Sequence, residues 1–261
     1  MLVTFGSVKG SPGTTTWALA MAARWPRPDA APVVVELDCA GGDLSSRWHI
    51  HDEPGLAGLV LGARHHRLGA GAEFVQRLPV GVDVVVAPPG DAAAATIAEF
   101  AAKGPAVLRD LAAARPVFAD LGRLDPHSPL LSYVDKADEL LLVARPVSAE
   151  LRHLRTRVAR LAARCPLVRL VLVGDGPYRP DEIAAYLDLT VAAVVPCDAT
   201  GAAILAGRKR PAMGWTRRPL LAAARSLALT YAAAAGPVAG PDTTVTATPA
   251  APSATPVEVT R

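Results

Sequence analysis

Lysine is scarce in this chain. Among its 27 basic residues only Lys9, Lys103, Lys136 and Lys209 are lysines, and the rest are arginines. With so strong a bias, an isolated arginine carries little functional weight, while Lys9 becomes conspicuous. Cysteine is scarce too: Cys39, Cys165 and Cys197 are odd in number and form no C-x-x-C pair. That pattern fits a reducing compartment better than a disulfide frame or a zinc site. The N-terminus lacks a basic segment followed by an apolar core, so no signal peptide is expected. No apolar run reaches the roughly 20 residues that span a bilayer. The formal net charge of only +3 argues against a dedicated nucleic-acid coat protein. A soluble, cytoplasmic protein is the expectation.

What is present is apolar. The 261 residues are 51% hydrophobic, enough for one sizeable core. Runs rich in Val and Leu at 2–8, 32–37, 82–87, 116–121, 139–143, 168–173 and 191–196 read as strands. Most are continuous rather than alternating, the pattern of strands covered on both faces. Ala-rich segments at 15–24, 92–103, 106–114, 149–164, 180–187, 200–206 and 218–235 read as helices between them. Strand–helix alternation predicts a doubly wound α/β domain, with a mostly parallel sheet of about seven strands and helices on both faces. This domain is expected to occupy residues 1–235. From Gly236 to Arg261 the composition shifts to Pro, Thr, Ala and Val, which predicts a disordered tail. The tail lacks the basic face and bulky apolar residues of a membrane-anchoring helix.

The first strand runs into Lys9-Gly10-Ser11-Pro12-Gly13-Thr14-Thr15-Thr16, and a helix follows. Strand, Gly-rich turn and helix in that order cradle an anion, through backbone N–H groups and the positive end of the helix. The general phosphate loop is G-x-x-x-x-G-K-[ST]. Here the Gly-Lys-Thr core is spelled Gly13-Thr14-Thr15, so the phosphate-binding lysine is missing. Two later strand ends carry acids. Glu36-Leu37-Asp38 ends the second and Asp120 lies near the end of the fourth, where carboxylates can hold Mg²⁺ or orient water. The pairs His49/His51 and His65/His66 offer metal ligands without a well-placed third group, so solvated histidines on a polar, Gly-interrupted surface stretch are expected.

These residues together resemble the ParA/MinD group of deviant Walker-A ATPases, among them the actinobacterial MinD-like and the TadZ/CpaE type linked to pilus assembly. The group's loop is K-G-G-x-G-K-[ST]-[ST], with its first lysine as hallmark. Glu36-Leu37-Asp38 lies where relatives have D-x-D, Cys39–Leu44 resembles their switch segment, and Pro196-Cys197-Asp198 resembles a late P-x-D loop near the base. The resemblance implies ATP and Mg²⁺ held at a homodimer interface by the segment Lys9–Thr16 with Asp120, Pro196 and Asp198. It further implies that Lys9 reaches the partner's phosphates, that Thr15, Asp38 and Asp120 serve the metal, and that Asp38 positions water. A spatial regulator or localisation factor for septum placement, chromosome partitioning or pilus assembly is the implied role.

Three departures qualify it: Thr14 replaces the loop lysine, Ser11 a glycine and Glu36 the first Asp. Losing one such electrostatic contact costs about 10²–10³ in rate, so weak ATP binding and slow or absent hydrolysis are expected. A pseudo-ATPase scaffold that binds a protein partner without nucleotide is the alternative. An NAD(P)-binding oxidoreductase ranks lower. Gly6, Gly10 and Gly13 miss the G-x-G-x-x-G spacing, and Tyr133 to Lys136 misses Y-x-x-x-K because position 137 is Ala. Nonspecific DNA binding is the third option, through an Arg-rich helix face (Arg152, Arg155, Arg157, Arg160, Arg164) and the cluster Arg208-Lys209-Arg210 with Arg217-Arg218.

Overall fold

Strands made of unbroken Val, Leu and Ala runs cannot turn alternate residues into water, so both faces of their sheet need cover. The computed structural model describes residues 1–65 and 71–234. Its strands are β1 (Leu2–Ser7), β2 (Val33–Glu36), β3 (Gln76–Arg77), β4 (Asp83–Val85), β5 (Val117–Arg123), β6 (Glu139–Ala144), β7 (Val168–Val173) and β8 (Thr190–Val195). They form one 8-stranded sheet in the order β3-β4-β2-β5-β1-β6-β7-β8. All neighbours pair in parallel except β3 with β4. The seven expected strands are all present. The eighth, β3, is a two-residue polar edge strand that no apolar run could announce.

The helices are α1 (Thr14–Ala23), α2 (Leu44–Trp48), α3 (Leu56–Arg64), α4 (Asp91–Phe100), α5 (Gly104–Ala114), α6 (Leu131–Val134), α7 (Ser148–Arg155), α8 (Val158–Ala162), α9 (Pro180–Leu187), α10 (Ala199–Leu205) and α11 (Pro219–Ala234). Strand residues divide alternately between two cores. Leu140, Leu142, Leu170 and Leu172 point into one with α3 to α9, while Leu141, Val143 and Val171 point into the other with α1, α2, α10 and α11. The sheet is thus the middle of three layers, as the apolar runs require.

Two expectations are corrected. The stretch around residues 49–66 is not wholly a polar surface loop, because α3 buries Leu56, Leu59, Val60 and Ala63 at helical spacing. Its Gly58 gives the Phe74 ring room: a Cβ there would lie 3.1 Å from it. The helix expected over 149–164 is two, interrupted where Thr156 Oγ1 donates to His153 O at 2.8 Å. Such a local side-chain bond competes with helix continuation. His66 and the segment Gly236–Arg261 lie outside the described residues. Among the described residues no helix is long and apolar enough to cross a membrane.

The chain passes from β1 through α1 to β2, leaving a gap that β5 later fills, and then crosses β1 to reach β6. The sheet therefore reverses direction around β1, and open parallel sheets bind ligands at the carboxyl ends of strands beside such a reversal.

Candidate functional site

At the carboxyl end of β1 the backbone turns through Gly10, with φ +71, and Gly13, with φ +99 and ψ 34, the left-handed region that glycine tolerates best. Ser11 is not among the positive-φ residues, so the position does not require the glycine it replaces. From Gly13 the chain enters α1, which has no side-chain cap and no acid in its first turn. The first N–H groups and the positive helix end are left for a negative ligand. Thr14 is buried at 6% exposure, whereas Lys9 is exposed.

This loop forms one wall of a cavity of about 330 Å³, which Ser7, Thr15, Asp38 and Gly122 also line. Asp120 lies behind it, fully buried. Its Oδ1 accepts from Gly122 N at 3.1 Å. Its Oδ2 has no partner at full hydrogen-bond geometry, although the Thr15 hydroxyl lies close enough to favour its ionised form. Burial raises the Asp120 pKa to about 6, opposed by the nearby Thr15 hydroxyl, the Gly122 amide and, more weakly, the Arg47 guanidinium. A buried carboxylate oxygen without a full hydrogen bond, next to a loop hydroxyl, is a donor set that suits a hard divalent cation such as Mg²⁺. Asp38 lines the cavity, with Oδ1 accepting from Ala40 N at 2.9 Å. Burial raises its pKa as well. Gly122, at φ +55, is required there, since a Cβ would fall 2.2 Å from Asp38 Oδ2.

Glu36 faces elsewhere. Its Oε1 accepts from Asp43 N at 2.8 Å and Leu44 N at 3.1 Å, and its Oε2 from Ala87 N at 3.1 Å. It ties the segment leading into α2 to the turn after β4. Burial lifts its pKa to about 7, against those three bonds.

On the other side of the loop lies a more apolar cavity of about 270 Å³, lined by Pro12, Gly13, Thr16, Trp17, Pro196 and Leu220 among others. The structure thus brings Gly10, Ser11, Gly13–Thr16 and Asp38 to one cavity, with Asp120 buried within reach of Thr15, and Pro12 and Pro196 to the neighbouring cavity. Asp198 borders that neighbour, yet its carboxylate is fully engaged. It caps α10 by accepting from Gly201 N at 2.8 Å and binds Arg218 Nε at 2.8 Å. Its side chain fastens α10 to α11 rather than facing a ligand.

Sequence reading misses three arginines of the first cavity: Arg47, Arg123 and Arg208. Arginine abundance conceals them, and Arg208 reads in sequence as part of a surface cluster. That cluster is also smaller than expected, because Arg218 pairs with Asp198. On the other Arg-rich face, Arg164 pairs with Asp135, and Arg155 lies over the Tyr186 ring at 5.7 Å. Among the described residues no group of three or more His, Cys, Asp and Glu is placed to hold a metal. A cation at Asp120 would therefore depend on Thr15 and on oxygens of a ligand.

No protein-family model and no curated protein sequence matches the chain. Solved structures do match in fold. The septum site-determining protein MinD from Pyrococcus horikoshii, complexed with Mg-ADP, superposes with a TM-score of 0.72 at 16% identity, over 90% of this chain and 97% of that one. A ParA family ATPase from Chlorobium tepidum gives 0.69 at 17% identity, over 87% and 97%. MinD in the MinC:MinD cell division complex of Aquifex aeolicus gives 0.66 at 12% identity, over 89% and 96%. At such identities the likeness is one of fold: this chain has the fold of the MinD/ParA P-loop ATPases.

Proposed function

We propose that this chain is a nucleotide-binding switch of the MinD/ParA kind, which takes ATP with Mg²⁺ and dimerises with itself. The dimer acts as a cytoplasmic spatial regulator or localisation factor, with slow or absent hydrolysis. One observation carries the reading: the cradle at Gly10–Thr16 retains its left-handed glycines and its uncapped helix end, and the buried Asp120 Oδ2, without a full hydrogen bond, lies behind it. The adjoining apolar cavity beside Pro12 and Pro196 suits a base. Thr15 and Asp120 would hold Mg²⁺, which when bound would neutralise negative charge on the phosphates. Asp38 would position an attacking water. Lys9, exposed and off its own cavity wall, would serve the phosphates of the partner copy.

Thr14 favours a second outcome, in which the loop is retained as structure and the protein acts as a scaffold. A buried hydroxyl supplies no positive charge. Isothermal titration of the full chain with ATP and Mg²⁺, on wild type and on Thr14→Lys, separates the two. Weak wild-type binding that tightens at least tenfold in the variant is expected, since a charged contact to phosphate is worth about 1.5–3 kcal/mol. If neither protein binds, the scaffold reading leads. Micromolar wild-type affinity with steady turnover would overturn the assigned consequence of Thr14.

A further inference from the structure

The nucleotide reading leaves an electrostatic deficit. A polyphosphate chain seated at Gly10–Thr16 would carry several negative charges, and the lysine that ordinarily meets them is Thr14. The same cavity, however, contains guanidinium groups from other elements. Arg47 lies in the last turn of α2, Arg123 at the end of β5, and Arg208 just beyond α10. They differ in availability. Arg123 pairs with Asp125 at 3.3 Å, and Arg47 with Asp43. Arg208 has no ion-pair or side-chain hydrogen-bond partner among the described residues.

The fold fixes Arg208 at this wall. Gly207, at φ +69, approaches the backbone of α2 so closely that a Cβ would lie 2.2 Å from Arg47 O. The ends of α10 and α2 are therefore in backbone contact, which sets Arg208 beside Arg47. The turn is held from within, because Arg208 N and Lys209 N both donate to Ala203 O, at 2.9 and 3.1 Å. Arg47 in turn lies near enough to Asp120 for its charge to act on that carboxyl. Arg208 and Arg47 thus form a cationic wall of the cavity that the loop also lines.

Resting on the nucleotide reading, we propose that Arg208, with Arg47 beside it, supplies in cis the positive charge that Thr14 withholds from a bound phosphate chain. A guanidinium suits this role. It is always charged and offers a planar fork that takes two phosphate oxygens at once. It would reach the phosphates from the segment after α10 rather than from the loop. The ligand class is a di- or triphosphate, free or carried by a nucleoside.

The test is isothermal titration of the full chain with Mg-ATP and, separately, with Mg-pyrophosphate, at two salt concentrations. Arg208→Gln should weaken both ligands by about 10- to 100-fold and flatten the salt dependence, whereas Arg208→Lys should lose far less. Lys209→Gln removes an adjacent charge that does not line the cavity and should bind as wild type does. Adding Thr14→Lys to Arg208→Gln should restore affinity, because the two cations serve one ligand. If wild type binds and Arg208→Gln binds equally well, or loses no more than Lys209→Gln, this proposal falls and the nucleotide reading stands. No binding of either ligand to wild type overturns the nucleotide reading and this proposal together. Pyrophosphate binding without any gain from ATP identifies a polyanion site and overturns only the base-binding half of the nucleotide reading.

Discussion

Glu36 and Asp120 are register partners on adjacent parallel strands, and both carboxyls are buried. Burial raises Glu36 from its usual 4.5 to about 7 and Asp120 from 3.8 to about 6. A raised carboxyl pKa means that the folded chain keeps a proton which the unfolded chain releases. Stability is then fully present below the unfolded pKa and falls as pH rises through the window, here from about 4.5 to 7 for Glu36. At 1.36 kcal/mol per pKa unit the Glu36 share is of the order of 3 kcal/mol. Denaturant unfolding at pH 5 and pH 7.5 should show lower stability at the higher value. Glu36→Gln, which mimics the protonated form, should retain only the Asp120 slope between about 3.8 and 6. An identical slope in wild type and variant would show that Glu36 is ionised throughout and that its three backbone bonds outweigh its burial.

Among the elements, the contact between α10 and α2 is exacting. Gly207→Ala would place a methyl against the Arg47 carbonyl at a left-handed φ. A cost of about 1–3 kcal/mol is expected from overpacking and backbone strain, read as a lower melting temperature. Phosphate binding should weaken alongside, since Arg208 and Arg47 are set by that contact. Wild-type stability would mean that the two helix ends part without cost. The elements also show what is legible in the sequence. Strands buried on both faces announce themselves by continuous apolar runs, which is why β1, β2 and β4 to β8 can be read to within a few residues. Helix α3 is hidden because Gly58 and Gly62 lower its propensity, although Leu56, Leu59, Val60 and Ala63 keep the helical period. The loop and its acids are legible as spacing along one chain. The arginines are not: Arg47, Arg123 and Arg208 come together only through the approach of α2, β5 and α10. For the same reason Asp198 has the look of a ligand group in the sequence, where nothing marks Arg218, 20 residues further on, as its partner.

At the scale of the whole molecule, the proposed function requires that one cavity work as a switch. Two copies that face each other across their cradles bring two polyphosphate chains close together, and like charges in a partly desolvated gap repel strongly. A cation carried by each copy towards the other's ligand turns that repulsion into attraction. On the proposed reading Lys9 would meet this need, since it adjoins the cradle, is exposed, lines no wall of its own cavity and has no ion-pair partner among the described residues. Arg208 and Arg47 would balance the ligand in cis and Lys9 in trans, so dimerisation should require ligand and Lys9 together. Sedimentation with saturating Mg-ATP, Mg-ADP or neither should find wild type shifted towards dimer only by Mg-ATP, and Thr14→Lys shifted at lower ATP. Lys9→Ala should bind nucleotide with near wild-type affinity and stay monomeric. The distinction matters because a ligand that binds one assembly state better must shift the population towards it, by no more than its difference in affinity. If Lys9→Ala dimerises on ATP as wild type does, the trans contact is not what couples nucleotide to assembly. If wild type forms the same dimer with and without ATP, the assembly is constitutive and the chain is a scaffold rather than a switch.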